Sequence, residues 1–334
     1  MIVPVYLLIN SKIIFKSNPM DILYINVIEQ NAGWGAETFL NNEFQSLGHI
    51  VANLDFRKHR KVLATKLNQV PDFDVLFLQR GDRFPPYLLK TCNRPKFFWA
   101  SELVSRNRDQ DILLKSNLFN HIFVHSDACK SKIIQNKWTT KEKLTVMLNG
   151  FNPKLHYKMD QTKDIDVLFV GSILPRREKI LNELKIHFNI KICSVFGEEM
   201  SKLLNRSKIV LNIHAEEYLD TETRMFEALG CGAFVISEKL GNENPFIPEK
   251  HYIEVANLET MKNKIFYYLN NQVERENISI NGYEEAMENH TYQARAQEFI
   301  NQFNRHIDKA TLPAFSPNKL TFFSQIEKVA NKFR

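Results

Sequence analysis

Two charged side chains in the segment Arg224-Met225-Phe226-Glu227 are the clearest candidates in the sequence for binding a ligand. A spacing of three residues places the guanidinium and the carboxylate on one face of a helix, while Phe226 and Leu229 point toward a core. A carboxylate in a ligand crevice can accept both hydroxyls of a ribose, and a guanidinium can neutralise a phosphate. As a bare ion pair, the two would instead be an ordinary feature of a helix surface.

A second group of basic residues follows a strand in the same half of the chain. Gly171 and Ser172 come directly after the apolar run at residues 166–170, and Arg176 and Arg177 precede the next helix. Glycine lets the backbone approach a ligand closely, and each guanidinium offers rigid paired donors to phosphate oxygens. The stretch suits a diphosphate, with one of the two arginines as the contact. A solvated basic turn is the alternative.

The turn Gly33-Trp34-Gly35 lies between the first strand and the following helix. Two glycines let backbone amides reach a ligand, and the helix N-terminus behind them favours negative charge. Thr38 stands where the dinucleotide fingerprint has its third glycine, although Asp55 ends the next strand as the ribose acid of that fingerprint would. Three interpretations stay open: a tight turn, an acceptor or phosphate loop, and a nicotinamide dinucleotide site.

Three more candidates lie at strand ends, where ligands of open α/β sheets bind. Glu102 follows the strand expected at 96–99, and a carboxylate beside aromatic residues suits a proton-accepting role. His125 is the second candidate for a catalytic base, and His214 is a candidate donor contact. The alternatives are helix capping for Glu102 and structural packing for the histidines.

Acidic pairs and cysteines give no pattern typical of a metal site. The triplets Asp72-Phe73-Asp74 and Asp164-Ile165-Asp166 precede their strands, so they point to the edge of the sheet opposite the ligand crevice. The four cysteines lie far apart without ligand spacing: Cys92, Cys129, Cys193 and Cys231. The sequence therefore predicts no metal, no cofactor and a reduced, cytoplasmic protein.

Short apolar runs alternate with amphipathic segments in both halves of the chain, which predicts a parallel sheet with helices in each half. These two sheets would position the candidate residues. Nearly continuous apolar runs predict strands covered on both faces. The expected strands are residues 22–27, 50–54, 75–78, 96–99, 121–125 and 144–148, then 166–170, 190–195, 208–213 and 233–237. The predicted fold class is α/β, with two doubly wound Rossmann-like domains that face each other across a cleft.

The turn-forming cluster Asn149-Gly150-Phe151-Asn152-Pro153 marks the expected domain boundary. It separates an N-terminal acceptor domain at 1–150 from a C-terminal donor domain at 151–306. Met20 directly precedes the first convincing strand, so we expect residues 1–19 to be a spurious extension.

A tail helix is expected at 307–334. One face of it carries Leu320, Phe323, Ile326, Ala330 and Phe333. The face is expected to pack on the protein itself, with peripheral contact to the inner face of a membrane as the alternative.

Length and charge exclude several classes of protein. The chain has 334 residues, enough for two domains, and its 44% hydrophobic and 25% charged residues exclude disordered and coiled-coil classes. Its net charge of +6 is spread along the chain, whereas a nucleic-acid binder concentrates its charge, so no nucleic-acid partner is expected.

The block from Arg224 to Ala233 resembles the donor-site signature of GT-B glycosyltransferases, most closely the CgeB-like group named after a spore maturation protein. Its letters are R-M-F-E-A-L-G-C-G-A. Downstream, Lys264 to Leu269 and His290 to Arg295 resemble the closing helices of that group. Upstream, the cluster at 149–153 resembles the connector between GT-B domains. The resemblance covers residues 144–300 well, and the first half only in architecture.

The resemblance implies transfer of a sugar from a nucleoside diphosphate to a glycan, lipid-linked, envelope or protein acceptor. Glu227 would hold the ribose, Arg224 with the arginine pair the diphosphate, and Gly171 would allow close backbone approach. Fixed guanidinium groups and helix amides would stabilise the leaving group without a metal.

One departure from the family pattern matters. Many retaining GT-B enzymes have a second glutamate that would fall on Leu219 here, with Glu216, Glu217 and Asp220 nearby as substitutes. The stereochemical outcome therefore stays open. The alternatives to a transferase are a nucleotide-sugar epimerase, an inactive nucleotide-sugar binding protein and a dinucleotide-dependent oxidoreductase.

Overall fold

The computed structural model describes residues 7–9, 12–14, 18–29, 35–104, 110–216, 219–307 and 312–332. They form two parallel sheets, each with a buried apolar core on both of its faces. The predicted fold class, α/β with two doubly wound domains, is confirmed.

The first sheet has six parallel strands and is preceded by a short antiparallel hairpin. The strands are β1 (Leu7–Ile9) and β2 (Lys12–Ile14) in the hairpin, then β3 (Asp21–Asn26), β4 (Ile50–Asp55), β5 (Val75–Gln79), β6 (Lys96–Ala100), β7 (His121–Val124) and β8 (Leu144–Val146). The helices are α1 (Ala36–Ser46), α2 (Leu63–Leu67), α3 (Pro86–Leu89), α4 (Gln110–Leu114) and α5 (Asp127–Gln135), with 3₁₀ turns at Arg60–Val62 and Lys141–Lys143. The spatial order is β4-β3-β5-β6-β7-β8.

The second sheet has five parallel strands. They are β9 (Ile165–Val170), β10 (Ile190–Cys193), β11 (Ser207–Asn212), β12 (Val235–Glu238) and β13 (Ile253–Val255), in the spatial order β10-β9-β11-β12-β13. The helices are α6 (Pro175–Lys185), α7 (Gly197–Arg206), α8 (Thr223–Gly230), α9 (Leu258–Asn270) and α10 (Gln272–Asn289), followed by α11 (Tyr292–Asn304) and α12 (Pro317–Lys332). Each predicted strand lies within two residues of an observed one at both ends, whereas β1, β2 and β13 were not predicted.

Each sheet reverses its winding direction beside its first strand, and a ligand crevice forms at such a reversal. In the first sheet the reversal lies between β3 and β5, and in the second between β9 and β11. Gly171 follows β9 directly, and His214 comes shortly after β11. The topology therefore brings together the strand ends that the sequence analysis selected in the second half.

The chain crosses between the domains twice, and the two crossings pair with each other. The Phe151 amide donates to the His290 carbonyl over 3.2 Å, and the Tyr292 amide donates back to the Phe151 carbonyl over 2.9 Å. Arg295 adds a bond from Nε to the Asn149 carbonyl at 3.0 Å. The predicted connector is thus one of two adjacent segments that join the domains.

Helix α11 packs on the first sheet, although its residues lie within the range 151–306 that we expected to form the second domain. The Phe299 ring lies 4.9 Å from that of Phe77, and the Phe303 ring lies 4.5 Å from that of Phe97. All four side chains are fully buried. The hydrophobic face of α11 therefore completes the first domain, which is built from both ends of the chain.

Helix α12 also packs on the first domain. Leu320 is buried in its core, and the Glu327 carboxylate accepts the Ala64 and Thr65 amides at 2.7 and 3.0 Å. These amides open helix α2, whose first turn favours a negative charge. The tail helix expected from the sequence therefore forms and packs on the protein, through Leu320, Phe323 and Ser324. The predicted packing face is wrong in part: Ile326 and Ala330 are exposed because the helix is turned toward Ser324, and Phe333 lies outside the described residues.

Replacing Phe299 with alanine should lower the free energy of unfolding by about 3–5 kcal/mol, because it leaves a cavity in the first core. Phe266→Ala is the matched control, since Phe266 is 68% exposed on α9 and its loss should change stability by less than about 0.5 kcal/mol. Urea unfolding measures both values. Equal effects of the two substitutions would contradict the assignment of α11 to the first core.

Candidate active site between the two sheets

A cleft of about 460 Å³ lies between the two domains and is lined by residues that follow strands of both sheets. Ser101, Glu102, Leu103 and His125 line it from the first domain. The second domain contributes most of the wall, including the loop after β11 and the start of α8. The site is therefore a crevice at strand ends, as expected from the topology.

Arg224, on the first turn of α8, lies directly over Gly171. Gly171 has a φ of +151°, and a Cβ added there would lie 2.5 Å from Nη2 of Arg224. Nη1 donates to Asn212 Oδ1 at 3.3 Å, and the guanidinium lies 5.2 Å from the centre of the Phe169 ring. Burial lowers the pKa of Arg224. The glycine is thus required by both its backbone angle and the guanidinium above it.

Arg177 holds the Glu222 carboxylate beneath the cleft. Its Nη2 donates to both oxygens of Glu222 at 2.8 and 2.9 Å, while Nε donates to the Ile213 carbonyl and Nη1 to that of Ser172. Burial alone would raise the pKa of Glu222, but His214, Arg224 and Arg177 outweigh it and lower the pKa to about 2. Arg177 therefore lines the cleft, but its donors are engaged inside the protein, and its role as a phosphate contact stays a prediction.

Glu227 lies one turn beyond Arg224 with a side chain that is 20% exposed. Burial raises its pKa to about 7, and the positive charge of Arg224 only partly opposes this. His156 Nε2 lies 3.8 Å from Oε1 of Glu227, and burial lowers the pKa of this histidine to about 4. A carboxyl group in a cleft with so little compensation for its charge is a candidate ligand contact.

His214, Asp220 and His125 form a chain of groups across the cleft. His214 Nδ1 lies 3.7 Å from Asp220 Oδ1, and His125 Nε2 lies 3.9 Å from Asp220 Oδ2. Burial, followed by the charge of Glu222, raises the pKa of Asp220 to about 6. Asp220 therefore joins a residue of each domain at a pKa suited to proton transfer near neutral pH.

Glu243, in the segment between β12 and β13, makes a direct contact between the domains. The Glu243 carboxylate accepts the Thr221 amide at 3.0 Å and the Asp127 amide at 3.3 Å, which opens α5 of the first domain. A carboxylate is favourable at a helix N-terminus. Glu243 therefore helps to hold the cleft in its observed width.

His214, Asp220 and Glu222 are the one group of possible metal ligands among the described residues, with ligand atoms within 4.8 Å of one another. Arg177 and Arg224 already contact the Glu222 carboxylate, at 2.8 and 3.3 Å. Two guanidinium groups at one carboxylate oppose the entry of a further cation by charge repulsion.

The predicted base Glu102 is held by Arg80, which follows β5. Nη1 of Arg80 donates to Glu102 Oε1 at 3.2 Å, and its Nε donates to Glu37, a fully buried acid in the first turn of α1. Gly35 caps this helix with a φ of +94°, whereas Gly33 and Trp34 lie outside the described residues. The Glu102 carboxylate of the first domain thus lines the cleft, held by the Arg80 guanidinium, which the buried Glu37 fixes in place.

Several predicted residues lie elsewhere or have other contacts. Arg176 forms a bidentate pair with Glu238, with N–O distances of 2.5 and 2.8 Å, and it is not part of the cleft wall. Ser172 accepts a bond from Arg177 through its carbonyl. Asp55 accepts the amides of the next turn through its side chain, so its carboxylate orders the chain after β4.

Four residues of the site or its support were not selected from the sequence: Glu222, His156, Arg80 and Glu37. Glu222 and Glu37 stand at helix starts, where an acid is favourable, but nothing beside them in the sequence indicates the arginine that each one pairs with. Of the substitutes for Leu219, Glu216 and Asp220 line the cleft, Leu219 itself is 45% exposed and Glu217 lies outside the described residues.

Comparisons with known proteins place this site in a glycosyltransferase fold. Residues 154–301 match the model of a family described as glycosyl transferase-like. The chain is also similar in structure to sucrose-phosphate synthase from Thermosynechococcus elongatus, with a TM-score of 0.64, 13% identity, and coverage of 85% of this chain and 98% of that one.

Two further structures are similar over nearly the whole chain. HepE of Anabaena, in complex with UDP-glucose, gives a TM-score of 0.61 at 13% identity and covers 86% of this chain and 100% of that one. A glycosyltransferase from Rickettsia africae gives 0.63 at 12% identity, covering 88% and 100%. At this identity the similarity shows the fold, which is GT-B.

One curated protein matches a shorter region. It is the uncharacterized protein R358 of Acanthamoeba polyphaga mimivirus, 33% identical over 89 residues. The match spans 26% of this chain and 30% of that protein, so this chain matches less than a third of its length.

Replacing Glu227 of α8 and Glu222 of its N-cap with glutamine should change the free energy of unfolding in opposite directions. Because folding raises the pKa of Glu227 from 4.5 to about 7, its charged form destabilises the fold, and this loss develops as pH rises from 4.5 to 7. Glu227→Gln should therefore raise the free energy of unfolding at pH 8 by roughly 1–3 kcal/mol, with a gain that shrinks toward pH 5.

Glu222→Gln is the matched variant and should cost about 3–5 kcal/mol at pH 8, since it leaves Arg177 buried without its carboxylate. Urea titrations at several pH values measure both effects. Destabilisation of the Glu227 variant at pH 8 would show that this carboxylate is paired, contrary to the geometry.

Proposed function

We propose that this chain, which has the GT-B fold, transfers a sugar from a nucleoside diphosphate to a glycan, envelope or protein acceptor without a metal ion. The observation that carries the proposal is the placement of Arg224 and Glu227 on one helix face, in a cleft that Gly171 also lines. A guanidinium and a weakly compensated carboxylate at this spacing match the diphosphate and the ribose of one ligand.

The diphosphate is proposed to bind over Gly171. Nη2 of Arg224 lies there, and α8 begins at the cleft, so the positive end of its dipole also favours an anion. Arg177 and Glu222 neutralise each other beside it. The remaining positive charge of Arg224 is then available for phosphate oxygens, whose charge grows as the glycosidic bond breaks.

The ribose is proposed to bind at Glu227, where the carboxylate accepts its hydroxyls. His156 lies behind the carboxylate and is neutral at physiological pH, because burial lowers its pKa to about 4. A neutral ring does not compete for the carboxylate as a charged one would. Glu227 thus stays directed to a ligand.

The sugar and the acceptor are proposed to meet at the Asp220 end of the cleft. Asp220, with a pKa of about 6, can accept a proton near neutral pH and lies between His125 of the first domain and His214. Glu102, on the Arg80 guanidinium, faces the same space from the first domain. These groups are the candidates for positioning or deprotonating an acceptor hydroxyl.

A binding panel tests the donor. UDP, GDP, ADP, CMP and dTDP derivatives are compared by thermal shift, since a ligand of the folded state raises its stability. UDP-glucose is the first choice of sugar, because it is bound by the similar HepE structure. Glu227→Gln should weaken binding of the best nucleotide about 10–100-fold by removing a charged hydrogen bond.

Glu259→Gln is the control, since Glu259 is exposed on α9, outside the cleft wall. Its affinity should equal that of the unmodified protein. Equal binding by the Glu227 variant would refute the donor site. Donor turnover should persist in excess EDTA, and its loss there would refute metal independence.

Nucleotide-sugar epimerisation is the second candidate function, because an epimerase can use the same two-domain fold and the same nucleotide site. It needs no acceptor. Conversion of the donor sugar in the absence of any acceptor, followed by sugar analysis, distinguishes epimerisation from transfer.

Gly171→Ala should weaken nucleotide binding about tenfold or more, because its Cβ displaces the Arg224 guanidinium. Gly48→Ala is the matched control: Gly48 also has a positive φ, +91°, but open space around its Cβ position. Both variants strain the backbone and lose about 1 kcal/mol of stability. Titration calorimetry with the nucleotide should detect a change in affinity for Gly171→Ala alone, and equal affinities would contradict the proposed diphosphate position.

A further inference from the structure

Helix α12 has a second face that the first domain leaves uncovered. Phe322, Ile326 and Val329 are 58%, 49% and 56% exposed. At a spacing of four and three residues, they form one ridge along the helix, opposite the buried Leu320 and Ser324. Three large apolar side chains in line are more than the scattered exposure usual for a surface.

Cations flank this ridge. Lys319, Lys328 and Lys332 are exposed on α12. The one acidic residue of residues 317–332 is Glu327, and its carboxylate is bound to the α2 amides on the inward side. The outward face of the helix is therefore apolar along its centre and positive along its sides.

The basic margin continues beyond the helix. Asn331 donates to the Lys61 carbonyl at 3.0 Å, which places the exposed Arg60 and Lys61 beside the C-terminal end of α12. They add positive charge to the surface around the C-terminal end of the helix.

We propose that this face of α12 docks on the surface of an anionic lipid bilayer. An apolar ridge inserts at the boundary between headgroups and acyl chains, while flanking lysines bind lipid phosphates. Charge selects this occupant over a second copy of the chain, because pairing two copies of this face would bring lysines against lysines without acids. None of the described helices is long and apolar enough to cross a membrane.

Co-sedimentation of the full chain with vesicles tests the proposal. Vesicles of phosphatidylcholine alone are compared with an equimolar mixture containing phosphatidylglycerol. The protein should bind the anionic vesicles at least about tenfold more strongly, and added salt should weaken the binding.

The triple variant Phe322→Ser/Ile326→Ser/Val329→Ser should lower partitioning about tenfold or more, because the apolar ridge is lost. Phe266→Ser is its control, since Phe266 is 68% exposed on α9, and its binding should be unchanged. Unfolding by urea should be the same for all three proteins, because the altered side chains face outward.

Charge is tested by Lys319→Gln/Lys328→Gln/Lys332→Gln, which should lower binding to anionic vesicles about tenfold or more. Its control replaces the three exposed lysines of α6 and β10, Lys179, Lys185 and Lys191, with Gln.

Equal binding to neutral vesicles, or full binding by the triple serine variant, would overturn the proposal. So would light scattering that shows a dimer abolished by the serine substitutions without any vesicle binding. Nucleotide binding is not required for either result, so the test is independent of the proposed transferase activity.

Discussion

The cleft depends on the burial of two like charges against one aromatic ring. The guanidinium groups of Arg177 and Arg224 lie 5.5 and 5.2 Å from the centre of the Phe169 ring, where they would repel each other strongly without a counter-charge. Glu222 supplies that charge from the cap of α8 and keeps a pKa of about 2. The helix, the arginines and the end of β9 are therefore held together, with one net positive charge at the wall of the cleft.

The parallel topology makes this arrangement possible. Both sheets reverse beside their first strand, so each presents a crevice at the carboxyl ends of its strands. The contact of Glu243 with the amides of Thr221 and Asp127 brings the two crevices together. Residues 90 or more positions apart in the chain, such as His125 and Asp220, thereby face each other at 3.9 Å.

The sequence predicted those features of the fold and the site that depend on neighbouring residues, and it did not predict contacts between residues far apart in the chain. Gly171 was found because it directly follows a strand whose apolar run is unmistakable. Arg224 and Glu227 were found because they are three residues apart within a block that resembles a donor-site signature. Strand β13 was missed because it has three residues with a polar one at its centre. The sequence around an arginine does not indicate which carboxylate it will pair with. Arg176 and Arg177 are neighbours, yet in the fold they pair with Glu238 and Glu222 respectively.

The packing of α11 was beyond sequence reasoning for the same reason. Its amphipathic pattern predicts a helix, but does not state which core that helix completes. The chain returns to the first domain beside Phe151, where the Tyr292 amide donates to the Phe151 carbonyl, and this return determines that α11 packs on the first core.

This return has a consequence for biosynthesis. A ribosome releases the first domain's six strands long before it reaches α11, so their core stays open at the face that Phe299 and Phe303 later fill. The second domain, from β9 to α10, is continuous and can close before the chain is finished. The nascent protein should therefore mature from its middle outward, and the half that is made first is the half that depends on chaperones for longest.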